Sequence, residues 1–185
     1  MNIQVFGQDE LEERIKNGNK VYSHLISIGN PGIKPQPDIL IPKIFKSAFT
    51  SILRFRFYDA TKKEQLGPKQ RIKRIPNKKD VKKLIKYYQK TKNKATGYTI
   101  HCWRGISRST AMAYILLYLI YKDEKIASDE LISIRRNAMP NRLIISIFDE
   151  LYDTNLSEFN KTIFKSRIER MRQELSNTVE ELESP

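Results

Sequence analysis

Short apolar runs alternate with helical patterns along most of the chain. NIQVF, VYSHLISIG (21–29) and TGYTIHC have the length and residue types of strands, and SILRFRFYD, which ends at Asp59, alternates apolar and basic residues over its centre. QDELEERIKNG is typical of a short helix ended by Gly18, and KKDVKKLIKYYQKTK has apolar residues at helical spacing. The pattern therefore predicts four strands separated by helices and loops.

The second half of the chain is predicted to be mostly helical. The pattern from Ser107 to Tyr121 has the period of a helix, SDELISIRRNA has Ser128 as its predicted N-cap, and PNRLIISIFDELY has Pro140 in its first turn. Strands that alternate with helices predict an α/β fold, in which helices flank a central, mostly parallel sheet. We assign this domain to residues 1–153.

Residues 154–185 are predicted to form a C-terminal helical extension. Its apolar residues lie three or four positions apart and make one stripe, which consists of Phe164, Ile168, Met171, Leu175, Val179 and Leu182. Two interpretations stay open, because the stripe either packs back on its own domain or forms a surface for pairing or docking. The sequence leaves the oligomeric state open as well.

Two irregular segments interrupt the regular pattern. NPGIKPQPD, residues 30–38, contains three prolines and is a predicted loop, and ILIPKIFKSAF after it predicts a short helix that Pro42 interrupts. Residues 60–77 have no clean period and contain one glycine and two prolines. We therefore expect a long basic loop between Asp59 and the next helix.

The composition fits a globular protein. The 185 residues are 39% hydrophobic and 30% charged, and the longest apolar run, Ala111–Tyr121, is too short to span a bilayer. The acids scattered through the first eighteen positions do not fit a secretory signal. The single cysteine allows no intramolecular disulfide, which favours a reducing compartment and hence the cytoplasm. Delivery into another cell stays open.

The net charge of +13 is concentrated in one segment. Residues 62–94 contain fourteen Lys and Arg against two acids, a local charge of +12, whereas the rest of the chain is close to neutral. Such a block predicts an acidic partner, either a membrane surface or another polyanion; the alternative is a set of solvated helix faces. We expect no stable nucleic-acid partner, because Tyr87 and Tyr88 are the only aromatic residues in the block that could stack on bases.

Candidate chemistry lies in HCWRGISRS, residues 101–109, between the last predicted strand and a helix. The first N–H groups of that helix have no partners within it, and a loop loosened by Gly105 directs several N–H donors to one point. Such a loop binds a phosphate dianion. Arg108 adds a fork of charged donors that matches two phosphate oxygens.

Cys102 at the base of this loop is the candidate nucleophile. The positive field favours the thiolate, which attacks phosphorus directly. Ser109 would donate its hydroxyl to the sulfur and help it leave, and His101 would fix the loop through hydrogen bonds. The alternative is an inert buried thiol at a strand end. The coincidence of Cys102, Arg108 and Ser109 with a strand before and a helix after favours the nucleophile.

HCWRGISRST resembles the phosphate-binding loop of the cysteine-dependent protein tyrosine phosphatase superfamily, whose signature is His-Cys, five residues, Arg, and Ser or Thr. The Gly-x-Ser-Arg-Ser ending is similar to the dual-specificity branch, and most similar to compact bacterial members. Those also tend to carry Cys-Trp in the loop and a later Pro-Asn, as Pro140 and Asn141 do here. The resemblance covers about residues 20–150. It implies a central sheet with helices on both sides and hydrolysis through a phosphocysteine, and we expect no cofactor and no metal.

The resemblance also implies roles within the loop. Cys102 would be the nucleophile and Arg108 the phosphate-binding residue, and the remaining loop residues would line the substrate: Trp103, Arg104, Gly105, Ile106 and Ser107. Arg104 adds positive charge. Trp103 has two interpretations, packing beneath the loop or stacking on substrate, and we favour the packing role.

Leaving-group protonation requires an acid as well. In the family this is an aspartate on a mobile loop after a strand, upstream of the cysteine, and Asp59 has that position. Asp80 is the other candidate for the acid, but it lies in the first turn of a predicted helix, where a carboxylate stabilises the helix start. Asp38 lies in the proline-rich loop and is poorly placed for the role. The segment between Asp59 and Cys102 is longer than in many dual-specificity enzymes, so the basic loop either moves with the acid as a lid or displaces it.

Several substrates fit the resemblance. We expect phosphotyrosine, phosphoserine or phosphothreonine proteins first, phosphoinositides second, and RNA 5′-phosphates as a further alternative, because the basic block favours a strongly anionic partner. A non-catalytic module that binds phosphate is the hypothesis from a different class.

Overall fold

A computed structural model of the chain describes residues 1–31, 43–68 and 73–183. Its elements in chain order are β1 (Asn2–Gly7), α1 (Gln8–Lys16), β2 (His24–Gly29), α2 (Lys43–Ala48), β3 (Ser51–Arg56), α3 (Lys78–Thr91), β4 (Gly97–Cys102), α4 (Arg108–Tyr121), α5 (Glu124–Ile134), α6 (Arg142–Tyr152) and α7 (Leu156–Glu183). A short 3₁₀ turn, Lys63–Gln65, lies between β3 and α3.

The four strands form one parallel sheet in the order β1-β4-β2-β3. The central strand β4 is buried at all six positions, as a strand covered by helices on both faces must be. Because the strands are parallel, their carboxyl ends meet at one edge. That edge carries Asn30 after β2, Asp59 after β3 and Cys102 at the end of β4. Ligands of such sheets bind at this edge.

Helices cover both faces of the sheet and confirm the predicted α/β class. One face packs against α3, α4 and α5, with α6 and α7 outside them, and the other face packs against α1 and α2. Helix α4 is apolar nearly all round, and its first ten residues are buried. A helix of this type belongs inside the protein. The first turn of α4 therefore carries Arg108 and Ser109 into the interior, directly after the loop.

The start of α3 accounts for Asp80. The Asn77 side chain accepts a hydrogen bond from Lys79 N, and Asp80 accepts one from Asn77 N, which makes a capping box. Asp80 is 4% exposed and its carboxylate lies 2.5 Å from Arg74 Nη2. The structural role predicted for Asp80 at a helix start agrees with these contacts.

Two predicted helix starts are wrong. Ser128 does not cap α5; the helix begins one turn earlier, where the Asp123 side chain accepts a hydrogen bond from Ile126 N, and Ser128 is buried within it. Pro140 precedes α6 rather than lying in its first turn. Asn141 is the N-cap, and its Oδ1 accepts hydrogen bonds from Leu143 N and Ile144 N.

The predicted strand that ends at Asp59 stops at Arg56, so Asp59 lies in the following loop. The predicted interruption at Pro42, Asp38 and most of the loop 30–38 lie outside the described residues. Within the described ranges, no helix has an apolar stretch long enough to cross a bilayer.

The C-terminal extension is helical, as predicted. Its first turns pack on the domain, because Leu156, Asn160 and Ile163 are buried and α7 contacts both α5 and α6. The Asp149 carboxylate accepts hydrogen bonds from the first N–H groups of α7. Farther along the apolar stripe, Ile168 is 46% exposed. The stripe thus begins against the domain and becomes exposed within two turns.

Candidate active site

Residues 102–108 connect the buried end of β4 to the first turn of α4. Gly105 makes this connection possible, because its φ of +69° is left-handed and a Cβ there would lie 2.4 Å from Gly7 N and from Phe6 C. The loop is therefore pressed against the end of β1, and only glycine fits at its closest point.

The carbonyl oxygens of the loop accept hydrogen bonds from groups outside it. The pairs are Gln8 N with Trp103 O (3.0 Å), Arg135 Nη2 with Arg104 O (3.4 Å), Arg135 Nε with Gly105 O (3.1 Å), Met139 N with Ile106 O (2.8 Å) and Asn141 N with Ser107 O (3.2 Å). The backbone N–H groups of residues 103–108 donate no hydrogen bond to another residue in the described part of the chain. Six donors are therefore left for an anion.

The only cysteine lies under this loop. Cys102 is 2% exposed, and its Sγ lies 3.1 Å from Ser109 Oγ, which is fully buried in the first turn of α4. A hydroxyl at this distance can donate to a sulfur anion, or accept from a thiol. The structure brings these two predicted residues into contact.

The His101 side chain packs against Ser27 and Phe45, and no hydrogen bond joins its ring to residues 103–108 among the described residues, so its predicted role in fixing the loop stays a prediction. Its Nε2 lies 2.9 Å from Ser27 Oγ, and its ring packs edge-on against Phe45 at 5.1 Å. Burial lowers the pKa of His101 to about 3, and the positive charge of Arg108 acts in the same direction, whereas the Cys102 backbone opposes the shift. The ring is therefore neutral at physiological pH.

Arg108 is held at the carboxyl ends of β2 and β3. Its Nη1 donates to Asn30 Oδ1 (2.7 Å) and to Phe57 O (3.0 Å), and its side chain is 5% exposed. Its Nε is buried without a hydrogen-bond partner among the described residues and lies 4.0 Å from Asp59 Oδ2. A buried charged donor without a partner is costly, so this nitrogen is available to an anionic ligand.

Asp59 lies directly over the loop. Its Oδ1 accepts hydrogen bonds from Ser107 Oγ (2.7 Å) and from Asn141 Nδ2 (2.8 Å), and its side chain is 39% exposed. Of the two predicted outcomes for the long basic loop, displacement of the acid does not fit this geometry. The second oxygen, Oδ2, has no hydrogen-bond donor among the described residues and faces Arg108 at 4.0 Å.

The remaining predicted loop residues lie at the mouth of the site. Trp103 is 47% exposed and Arg104 is exposed, whereas Ile106 and Ser107 are half-buried. The expectation that Trp103 packs beneath the loop is wrong, because nearly half of its side chain is exposed, and it is Gly105 that approaches β1 most closely. Trp103 is thus free to contact a bound molecule.

Sequence reasoning missed two residues that hold the site. Arg135 at the end of α5 bonds two loop carbonyls and forms an ion pair with Glu10 at 2.8 Å, and Asn30 binds Arg108. The only signal for Arg135 is a pair of arginines at a helix end, which basic composition explains equally well. Among the described residues, no cluster of three or more His, Cys, Asp or Glu is arranged to hold a metal ion.

No protein-family model and no curated protein sequence matches the chain. Solved structures do match it. Tk-PTP in its active form has 13% sequence identity and a TM-score of 0.54, over 85% of this chain and 92% of that one. DUSP15 has 18% identity and a TM-score of 0.54, over 88% and 90% of the two chains. PTPMT1 has 18% identity and a TM-score of 0.55, over 91% and 95%.

These identities are low, so the likeness concerns the fold. The four-stranded parallel sheet with its flanking helices is the compact α/β fold of cysteine-dependent protein tyrosine phosphatases. The predicted fold class is confirmed, and nearly the whole length of the matched chains is covered.

Proposed function

We propose that this protein is a phosphatase that hydrolyses phosphomonoesters through a phosphocysteine intermediate. The observation that carries the proposal is a loop whose carbonyls are bound from outside, whose six N–H groups donate to no other described residue, and which has a buried thiol beneath it. The fold shared with phosphatases supports the same reaction.

Substrate binding would use the loop N–H groups and Arg108. The equatorial oxygens of the phosphate accept from the amides, and the unpartnered Nε of Arg108 supplies a charged donor. Arg108 is pre-positioned for this by Asn30 and Phe57, so little reorganisation is needed on binding.

In the first step, the Cys102 thiolate attacks phosphorus. An S–P bond forms, the P–O bond to the leaving group breaks, and Asp59 gives its proton to the departing oxygen. Oδ2 suits this role because both hydrogen bonds that orient Asp59 go to Oδ1.

In the second step, water replaces the sulfur. Asp59, now a carboxylate, takes a proton from the water as its oxygen attacks phosphorus and the S–P bond breaks. Ser109 donates its hydroxyl to the developing thiolate at 3.1 Å, which stabilises the leaving sulfur. Inorganic phosphate leaves and the starting enzyme is restored.

We propose proteins phosphorylated on tyrosine, serine or threonine as the substrates. The exposed Trp103 and Arg104 at the mouth of the loop support this choice, because they can contact residues around a phosphorylated side chain. Phosphoinositides are the second candidate, since one matched structure is PTPMT1 in complex with PI(5)P, at 16% identity and a TM-score of 0.53. The hypothesis of a non-catalytic phosphate-binding module assumed an acid displaced from the site. It is not favoured, because Asp59 lies at hydrogen-bond distance from the loop.

The reaction is tested with a small aryl phosphate. Cys102→Ser should abolish turnover, and equal turnover by the variant and the natural protein rejects the nucleophile. Asp59→Asn keeps the acceptor for Ser107 and Asn141 but removes the acid. It should lower kcat/KM on an alkyl phosphate, whose leaving group needs a proton, by about 10²- to 10⁴-fold, and kcat/KM on an aryl phosphate much less, because kcat/KM reports the first step alone.

Asp153→Asn is a matched control for the acid. Asp153 is exposed and ends α6 in a left-handed conformation that asparagine also adopts, so this change should leave both substrates unaffected. An equal loss of kcat/KM on alkyl and aryl phosphates in Asp59→Asn would reject Asp59 as the acid. A panel of phosphopeptides and phosphoinositides then separates the two substrate classes.

A further inference from the structure

A groove between α6 and α7 opens onto the cavity beside Asp59. The groove has a volume of about 750 Å³, and the cavity that contains Asp59 has a volume of about 350 Å³. Three residues line both of them, Thr61, Arg142 and Phe164. A molecule in the groove therefore reaches the proposed acid without crossing a barrier of protein.

The floor of the groove is apolar. Leu143 on α6 and Phe164 on α7 are half-buried, and Ile168, one turn farther along α7, is 46% exposed. An apolar strip of this kind favours an occupant with apolar side chains of its own.

The rim of the groove is positively charged. Five cations line it, against one acid, Glu169: Lys62, Arg142, Lys161, Lys165 and Arg172. Lys161 is paired with Glu158 at 2.7 Å, and none of the other four forms an ion pair with a carboxylate in the part of the chain that the structure describes. The rim therefore suits an anionic occupant.

The groove is held in a fixed position relative to the site. Asn160, 3% exposed at the base of α7, donates a hydrogen bond from Nδ2 to Pro140 O at 3.3 Å. Pro140 directly precedes Asn141, which binds Asp59. The Arg142 guanidinium lies 4.5 Å from the centre of the Phe164 ring, where groove and cavity meet. Binding would thus need little rearrangement.

The length of the groove favours a peptide. Its lining on α7 runs from Ser157 to Arg172, about 22 Å at 1.5 Å per residue. An extended peptide of about six or seven residues covers that distance. A lipid acyl chain would need a continuous apolar path, whereas cations occur along the whole length of this one.

We propose that the α6–α7 groove binds an acidic segment, with interspersed apolar residues, next to the phosphorylated residue of a protein substrate. This inference rests on the proposed function, because it assigns the sequence around the phosphate that the site prefers.

Binding is tested without catalysis, on the full-length chain. The probe is the fluorescent, unphosphorylated peptide Glu-Glu-Phe-Glu-Glu-Leu, and its affinity is measured by fluorescence anisotropy. The double variant Lys165→Glu with Arg172→Glu should bind it about ten-fold more weakly, from two reversed surface charges. Lys16→Glu with Lys46→Glu, exposed on α1 and α2, changes the net charge equally and should bind as the natural protein does.

Kinetics test the link to the site. Two phosphotyrosine peptides carry the acidic segment before or after the phosphorylated residue, and matched peptides have Gln in place of each Glu. For each peptide, kcat/KM is divided by kcat/KM on an aryl phosphate. This ratio should be higher for the acidic peptide than for its Gln counterpart when the segment lies on at least one side of the phosphotyrosine. That advantage should fall in Lys165→Glu with Arg172→Glu and persist in the α1–α2 control.

Several results would overturn the inference. Equal loss of affinity in the groove variant and in the control would attribute binding to net charge alone. Loss of binding to phosphoinositide vesicles, without loss of peptide binding, would make the groove a lipid site. A groove variant that only shifts a monomer–dimer equilibrium would make it a self-association surface. If the protein prefers the acidic peptide but its turnover does not depend on Cys102, the proposed function is rejected. If turnover depends on Cys102 but acidic and Gln peptides react equally well, only the proposed role of the groove is rejected.

Discussion

At the scale of single residues, two glycines have the same backbone conformation but different surroundings. Comparing them distinguishes the cost of backbone strain from the cost of close packing. Gly18 and Gly105 both have a φ of +69°. A Cβ at Gly18 would meet nothing within 4 Å, whereas one at Gly105 would lie 2.4 Å from the backbone of β1. The first position tolerates a side chain at the cost of strain alone, and the second does not.

We therefore predict that Gly105→Ala destabilises the protein more than Gly18→Ala does. The left-handed conformation costs each alanine about 1–2 kcal/mol, and only Gly105→Ala adds displacement of the loop from β1. The free energy of unfolding is measured in urea. Gly105→Ala should also weaken protection of Cys102 from alkylation by inorganic phosphate, and equal effects of the two substitutions would contradict the packing described here.

His101 predicts a pH dependence of stability. Burial lowers the pKa of His101 to about 3, so between about pH 6.5 and pH 3 the unfolded chain binds a proton that the folded protein does not. The free energy of unfolding should fall as the pH falls through this window, by up to about 1.4 kcal/mol per pH unit.

Urea denaturation between about pH 7 and pH 5 measures this slope, in a range where most carboxylates stay ionised. His101→Gln should flatten it and leave a smaller part due to His24, whose pKa is also lowered by burial. A slope that is the same in His101→Gln and in the natural protein would show that His101 is not buried in its neutral form.

At the scale of elements, the start of α6 has two functions. The Asn141 side chain caps the helix through Oδ1 and orients Asp59 through Nδ2. One amide thus couples the start of α6 to the proposed acid, and substitutions can separate the two functions.

Asn141→Asp should keep the cap, because aspartate caps as well as asparagine, and lose the hydrogen bond that Nδ2 donates to Asp59. It also places a second carboxylate beside Asp59, so the alkaline limb of the pH dependence of kcat/KM, where the acid loses its proton, should move to higher pH. Asn141→Ala should cost about 1 kcal/mol of stability without that upward move. A profile that Asn141→Asp leaves unchanged would remove Asn141 from the positioning of the acid.

The elements that the sequence predicts well are those with local signals. β4 and α4 follow from continuous apolar runs, and the start of α3 follows from a capping box within four residues. The sequence alone does not select the start of α5, because Asp123 and Ser128 can each cap a helix. Lys122, which ends α4 in a left-handed conformation, places the new helix directly after it and selects Asp123.

The residues that position the site have no local sequence signal. Asp59 contacts Ser107 and Asn141 across 48 and 82 residues, and Arg135 reaches Glu10 across 125. Contacts of this kind depend on how the sheet and helices pack, which hydrophobic periodicity does not specify. The motif of residues 101–109 is recognisable in the sequence because its residues are neighbours in the chain.

At the scale of the whole molecule, the net charge of +13 includes an exposed row on α3. Lys82, Lys86 and Lys90 are exposed at intervals of four residues and so lie on one face of the helix. We propose this face as the contact for an acidic membrane surface or another polyanion.

Changing all three lysines to glutamate should weaken co-sedimentation with phosphatidylserine vesicles on the order of 100-fold, from about 1 kcal/mol per lysine near the surface. Added salt should weaken binding of the natural protein in the same direction, since screening shortens the range of the attraction. Vesicle binding that is insensitive to both the substitutions and salt would exclude an electrostatic role for this face.

The central claim is that the thiol of Cys102 takes the phosphoryl group from substrate. Rapid quenching of Asp59→Asn during turnover of an aryl phosphate, followed by mass spectrometry of the peptide that contains Cys102, tests it directly. We predict one phosphoryl group on Cys102, which accumulates because Asp59 no longer activates water, and none in Cys102→Ser. Continued turnover with no phosphoryl group on Cys102, by a variant that still hydrolyses the ester, would contradict the account.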